Sequence, residues 1–356
     1  MRHLYLLPVV ALAGALAGCA SIGPVTVPRD RLDYSEAITE SWKRQNLLNV
    51  VKLRYVDPPV FVDVGQIVSG YTLETGVTVA GQVSSGRAVQ GNSATLGGSG
   101  RYTDRPTITY LPLTGNKFLL NLIMPIPPDS MFFAIQSGWP ADVMLTQGVA
   151  AINGLKNADA RVDGSDQADP RFLRAAELLR AIQTSGSIGL RLKKGSGTET
   201  STILTLRAPD TSPETLAMIR ELRSLLGLSQ DATEFTLVFG DIAANDHELA
   251  VRTRTLLHVM SSFAQRVEVP AEHLREGRVG PGLSTDNPAP SGTFSIHSST
   301  AEPTDAFVKV NYRDHWFWID DRDLRSKRAF ALVLLLFTLT DTSSDRNLPL
   351  LTIPTG

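Results

Sequence analysis

The chain has 356 residues, with 34 basic and 36 acidic side chains and one cysteine. A net charge of −2 lacks the basic footprint that nucleic-acid binding requires, so no nucleic-acid partner is expected. At 42% hydrophobic and 20% charged the composition is that of a globular chain, and the single thiol leaves no pair for an internal disulfide, so stability must come from an apolar core.

The chain begins MRHLYLLPVVALAGALAGC. Arg2 and His3 form a polar start, Leu4 to Leu16 an apolar run too short to span a bilayer as a helix, and small residues precede the cysteine. Leu16-Ala17-Gly18-Cys19 resembles the lipobox of bacterial lipoproteins, and residues 1–18 resemble their signal peptide. That resemblance implies cleavage before Cys19 and acylation (palmitate included) of its sulfur and its new amine. Several acyl chains at about 0.8 kcal/mol per buried methylene make a firm anchor. Ala20 and Ser21 stand where an aspartate would signal inner-membrane retention, which implies an outer-membrane lipoprotein facing the periplasm. Residues 19–32 read as a tether.

Residues 33–55 read as the first helix, with Asp33 and Glu36 spaced as a capping box and Pro58-Pro59 barring continuation. From Ile67 the chain changes period. Ile67, Tyr71, Leu73, Val77 and Val79 alternate with polar or small residues, and after the polar stretch 84–93 the alternation resumes through Leu96 and Tyr102. This pattern predicts a long amphipathic β-hairpin whose apolar face is buried against its own domain, against a partner or in a membrane, with packing on its own domain or a neighbour the preferred reading. "PTITYLPL" continues extended, and "PPDSMFFAIQSGW" supplies a short helix; residues 33–140 form a first region.

Residues 141–241 read as strand 143–155, a helix from Asp169-Pro170 to Gln183, strands "SIGLRLKK" and "TSTILTLR", a helix from Ser212-Pro213 to Gly227, and strand 234–240. The βαββαβ order predicts an α+β fold with a ferredoxin-like unit at its centre. Residues 242–356 form a third region. There "ELAVRTR" leads into the helix "TLLHVMSSFAQRV", residues 277–293 are a Gly/Pro/Ser loop, and strands "FSIHSS", "AFVKVNYR" and "HWFWID" come next. The apolar run 329–339 is expected to be a buried helix started by Asp321 or Asp323, with a central strand as the alternative.

No nucleophile elbow, zinc-protease helix, Walker loop or dinucleotide fingerprint occurs, so no cofactor is expected. His247, His258, His273, His297 and His315 fall in separate elements at spacings of no metal motif, so they read as surface or satisfied core histidines and no metal site is expected. Asp163, Asp166 and Asp169 lack the ligand pattern of a calcium loop, and Asp169 reads as a helix cap. His315 with Asp320, Asp321 and Asp323 is the densest polar cluster, but strand aromatics followed by a capped helix explain it without catalysis.

The hairpin arms reach the roughly 9–11 residues a membrane strand needs, with Tyr71, Tyr102 and Tyr110 near the base, yet two strands alone in lipid would leave unsatisfied edges. The expected function is therefore non-catalytic: a lipid-anchored envelope protein that binds or assembles with other envelope proteins. The alternative is a subunit of an oligomeric secretion or export pore, which resembles curli-type lipoprotein pores in plan only. An envelope hydrolase is third.

Overall fold

The computed structural model of the protein describes residues 23–68, 70–82, 93–158, 167–194, 200–206, 212–280 and 294–340. Cys19 and the leader, the hairpin tip, Asp163 and Asp166, most of the 277–293 loop and the C-terminal tail lie outside the described residues. The described chain forms two units: residues 23–41 with 62–112, and residues 42–61 with 113–340.

Helix α1 spans Gly23–Arg54, ten residues earlier than the expected start, so residues 23–32 of the expected tether are helical. Asp33 lies well inside it and caps nothing. Pro28 forgoes one backbone bond within the second turn. Side-chain contacts of that turn offset the loss: Asp30 accepts a hydrogen bond from the Tyr71 hydroxyl, and Arg29 pairs with Asp30 at 2.9 Å and with Tyr102.

The rest of the first unit is a long antiparallel ribbon. Strands β1 (Phe61–Val68) and β4 (Thr107–Leu113) pair with each other, as do β2 (Tyr71–Gln82) and β3 (Ser93–Asp104). The Arg105 N–H donates to the Gly70 carbonyl at 2.9 Å where the two pairs meet. Gly65 permits this pairing to close, because a Cβ there would lie 2.6 Å from Leu111 Cδ1. The expected hairpin is present, in unbroken register from Tyr71↔Asp104 to Gln82↔Ser93.

In the second unit three short helices come after the ribbon: α2 (Gly115–Ile123), α3 (Pro128–Gln136) and α4 (Ala141–Gly148). Helix α4 occupies the first half of the segment expected to be a strand; only β5 (Val149–Ile152) and β6 (Leu155–Lys156) are extended. Pro140 at its start, Asp142 in its first turn and buried Met144, Leu145 and Gly148 are helix signals that the continuous apolar run concealed. Asn153 and Gly154, at φ 43° and 81°, make the two-residue turn between β5 and β6.

Helix α5 (Pro170–Thr184) begins where Asp169 accepts from the Arg171 N–H at 2.9 Å. The hairpin β7 (Ile188–Lys194) and β8 (Thr200–Leu206) precedes α6 (Pro213–Leu226), which is capped by Ser212 at one end and stopped by Gly227 at φ 65°. Strands β9 (Glu234–Phe239) and β10 (Glu248–Thr253) complete a six-stranded sheet in the order β6-β5-β10-β9-β8-β7.

The fold is α+β, as expected, and the βαββαβ run is in place along the chain. In space β10 sits between β5 and β9, parallel to β9 and antiparallel to β5, so the run is embedded in a wider sheet whose strand order is not that of a separate ferredoxin-like unit. Leu249, Ala250 and Val251 are fully buried because β10 is central, and a boundary at 241/242 would cut the sheet in two.

Helices α7 (Leu256–Ala264) and α8 (Ala271–Arg275) lead to a three-stranded sheet of order β11-β13-β12: β11 (His297–Ser299), β12 (Ala306–Tyr312) and β13 (His315–Asp320). Helix α9 (Leu324–Thr340) confirms the helical choice for the apolar run. Asp323 caps it, accepting from the Arg325 and Ser326 N–H groups at 3.1 and 3.0 Å. One continuous core, from Leu47 through Phe61, Phe132, Phe172, Phe235 and Phe263 to Phe330, joins these elements. Among the described side chains, every buried apolar one belongs to this second unit. No helix among the described residues is long and apolar enough to cross a membrane.

Candidate functional site

Two places hold the features of greatest functional interest. The first is the hairpin. Register puts Tyr71, Leu73, Thr75, Val77, Val79 and Gly81 on one face with Ala94, Leu96, Gly98, Gly100 and Tyr102 opposite them. The other face carries Thr72, Glu74, Gly76, Thr78, Ala80 and Gln82 against Ser93, Thr95, Gly97, Ser99, Arg101 and Thr103. The apolar and polar faces are therefore as segregated as the alternation predicts.

Coverage of the apolar face differs along its length. At the base the Tyr71 and Tyr102 rings stack with centroids 6.1 Å apart, and α1 holds both through Asp30 and Arg29. The Tyr71 hydrogen bond, foremost among the contacts of Asp30, holds that carboxyl below its usual range. Ile67 is half-buried on β1. Farther out, Val77 is 76% exposed. The side chains of Leu73, Val79 and Leu96 lie outside the described set; their places on this face come from the backbone register.

The second place was not foreseen. His273 on α8 and His315 at the head of β13 lie 42 positions apart, yet their ring centroids come within 5.0 Å, and Glu272 joins them. The three offer ligand atoms that all lie within 4.8 Å of one another. His315 Nε2 is 3.4 Å from Glu272 Oε1, and His273 Nε2 is 3.9 Å from it. His273 is 2% exposed and His315 8%. Burial, helped by the neighbouring His315 and Arg278, lowers the pKa of His273.

Each ring is held from behind. The Tyr55 hydroxyl, at the C-terminal end of α1, lies 2.7 Å from His273 Nδ1, and the Arg313 carbonyl lies 3.2 Å from His315 Nδ1. Arg313 and Asp314 form the two-residue turn between β12 and β13 at φ 51° and 64°, a conformation that normally favours Asn-Gly. Arg313 is fixed there by Asp57 at 3.1 Å and by the faces of Tyr55 and Tyr312, 5.0 and 5.4 Å from its guanidinium. A signal for this cluster did exist: in "HWFWID" His315 shares its parity with buried Phe317 and Ile319, and a core-facing histidine needs partners.

The remaining sequence candidates have structural roles. His297 pairs with Glu268 at 2.9 Å, His247 with Asp246 at 2.7 Å, and His258 is half-buried in α7. Asp320 accepts from the Arg322 N–H, Asp321 pairs with Lys327 at 2.7 Å, and Asp323 caps α9. The contact of His315 is thus Glu272, not the acids that come after it in sequence. Comparison with protein-family models, curated proteins and solved structures finds no match to this chain.

Proposed function

We propose that this chain is a lipid-anchored lipoprotein of the outer membrane, facing the periplasm, that acts without catalysis by assembling with other envelope proteins through the hairpin. The observation that carries this reading is the exposure of the apolar Val77 side chain, 76%, in the middle of the hairpin's more apolar face. A two-stranded ribbon is marginal in water by itself, and β2 and β3 pair only with each other among the described residues, so both outer edges can accept strands. A second copy supplies a surface of the same register and chemistry. Cys19, acylated, would hold the copies on one membrane and raise their effective concentration.

Mass photometry of the detergent-extracted protein tests the assembly. A uniform species heavier than one chain is expected, either a multimer or a complex with a co-extracted envelope protein. A single species at the mass of one chain sinks the proposal.

One observation favours the pore as a second reading. The polar face holds no valine, leucine, isoleucine or aromatic residue. That division, apolar outward and small or polar inward, is what a lumen-lining hairpin needs, and 12-residue strands suffice for a crossing of about 9–11 residues. Conductance across planar bilayers separates the two readings, since a multimer that assembles through the hairpin outside lipid conducts nothing.

A further inference from the structure

The geometry points to a divalent transition-metal site formed by Glu272, His273 and His315, with zinc the ion whose ligand chemistry it fits best. Three features carry this, and none depends on how the hairpin is used.

The first is spacing. Zinc bonds of about 2.0–2.1 Å in tetrahedral geometry place neighbouring ligand atoms about 3.3 Å apart. The Glu272 Oε1 to His315 Nε2 distance of 3.4 Å meets that; the 3.9 Å to His273 Nε2 closes with a small rotation of the half-exposed Glu272 side chain, and the trio as a whole, spread over 4.8 Å, closes on an ion only if the two imidazoles also turn toward each other.

The second feature is orientation. The Arg313 carbonyl can only accept, so a neutral His315 carries its proton on Nδ1 and leaves the Nε2 lone pair for a ligand. The Tyr55 hydroxyl can serve His273 in the same way. An imidazole whose far nitrogen is held by a carbonyl or hydroxyl is the usual support of a metal-binding histidine.

The third is donor chemistry and access. Two imidazoles and one carboxylate suit zinc and its first-row neighbours; calcium and magnesium take mostly oxygen ligands, and no thiolate is present. The imidazoles are buried, while the Glu272 side chain is 51% exposed and gives the ion a path from solvent. Three protein ligands leave the fourth tetrahedral position for water or an incoming donor. Bound there, the metal would clamp α8 to β13, with the end of α1 behind it.

Isothermal titration of the untagged, chelator-treated full chain with zinc chloride tests the assignment, with cobalt(II) absorption in the visible as a report on tetrahedral geometry. One ion per chain is expected, together with a rise in melting temperature on loading. Glu272→Gln, at an exposed position, should keep the fold and weaken zinc at least tenfold, while Tyr55→Phe should weaken it about tenfold through the lost support. Absence of saturable zinc binding at micromolar protein overturns the assignment. So does binding that Glu272→Gln and a His273→Gln/His315→Gln double variant both leave unchanged.

Discussion

The two units of this chain make opposite use of β-structure. In the second, strands are covered: β9 and β10 lie mid-sheet, and Phe235, Leu249 and Val251 are enclosed by α3 to α6 and by their neighbours. In the first, the ribbon is bare over its outer part, and its side chains are small enough that Gly76, Gly81, Gly97, Gly98 and Gly100 take up much of β2 and β3. A covered sheet obtains its stability from its own chain. A bare amphipathic ribbon with good register has no such cover among the described residues, and it is this ribbon through which the proposed assembly would act.

The largest expected effect sharpens the first half of that contrast. Phe235→Ala should cost about 3–5 kcal/mol by opening a cavity at the sheet centre, seen as a lower urea midpoint at unchanged slope. A loss under about 1 kcal/mol would mean the sheet relaxes around the gap and is not close-packed. Next in size, Ser212→Ala removes the hydroxyl that accepts from Thr215 N–H at 3.2 Å and should cost about 1 kcal/mol, by the same measurement.

A pH series tests the cap of α9. Burial pushes the Asp323 carboxyl upward, but hydrogen bonds from Ser326 and Arg325 outweigh it and leave the group below its usual range. With the folded value depressed, its stabilisation is complete above the unfolded value of about 3.9 and is lost as pH falls through the folded value. Wild type should therefore exceed Asp323→Asn by about 0.3–1 kcal/mol at neutral pH, the worth of a negative charge at a helix N-terminus, and the gap should close in acid. Urea midpoints that keep the gap constant to low pH would exclude the charged cap.

The smallest effect on stability is the most telling for function. Val77→Asp should change the unfolding free energy of the isolated chain by no more than about 0.5 kcal/mol, because the side chain already faces solvent. The same change should abolish the heavier species in mass photometry. Marked destabilisation of the monomer would show the face to be packed on its own chain and would erase the contrast between the units.

How much of the fold is legible in the residues depends on the range over which each signal acts. The β2–β3 alternation, the Asp169 and Ser212 caps, Gly227 and the apolar α9 are encoded within a few positions, and they appear where expected. Helix α4 was hidden because Val143 to Ile152 is apolar throughout except Thr146 to Gly148, and such a run has no period to decide between helix and strand. The place of β10 is a matter of topology: "ELAVRTR" reads only as the lead into a helix, and nothing local says between which strands it pairs. The histidine cluster was hidden for the same reason, since α8 and β13 meet only once the sheet β11-β13-β12 has formed. The first turns of α1 were masked by Pro24 and Pro28, which read as loop until the tyrosines of the ribbon are seen beside them.

Helix α1 ends in an unusual residue. The N–H groups of Val56 and Asp57 donate to the Leu53 and Lys52 carbonyls at 3.1 and 2.9 Å, closing the helix in the manner that normally calls for glycine, yet Val56 stands there at φ 61°. A β-branched residue opposes that conformation by roughly 1–2 kcal/mol, so the last turn is held through its C-terminal neighbour: Asp57 receives the Tyr312 hydroxyl and the Arg313 guanidinium. In amide exchange this helix end should open ahead of the helix interior, carrying Tyr55 with it, and Val56→Gly should slow that opening. If it does, the Tyr55 hydroxyl's hold on His273 Nδ1 would follow the same local equilibrium, and the φ of 61° at Val56 would bear on an imidazole more than 200 residues away in sequence.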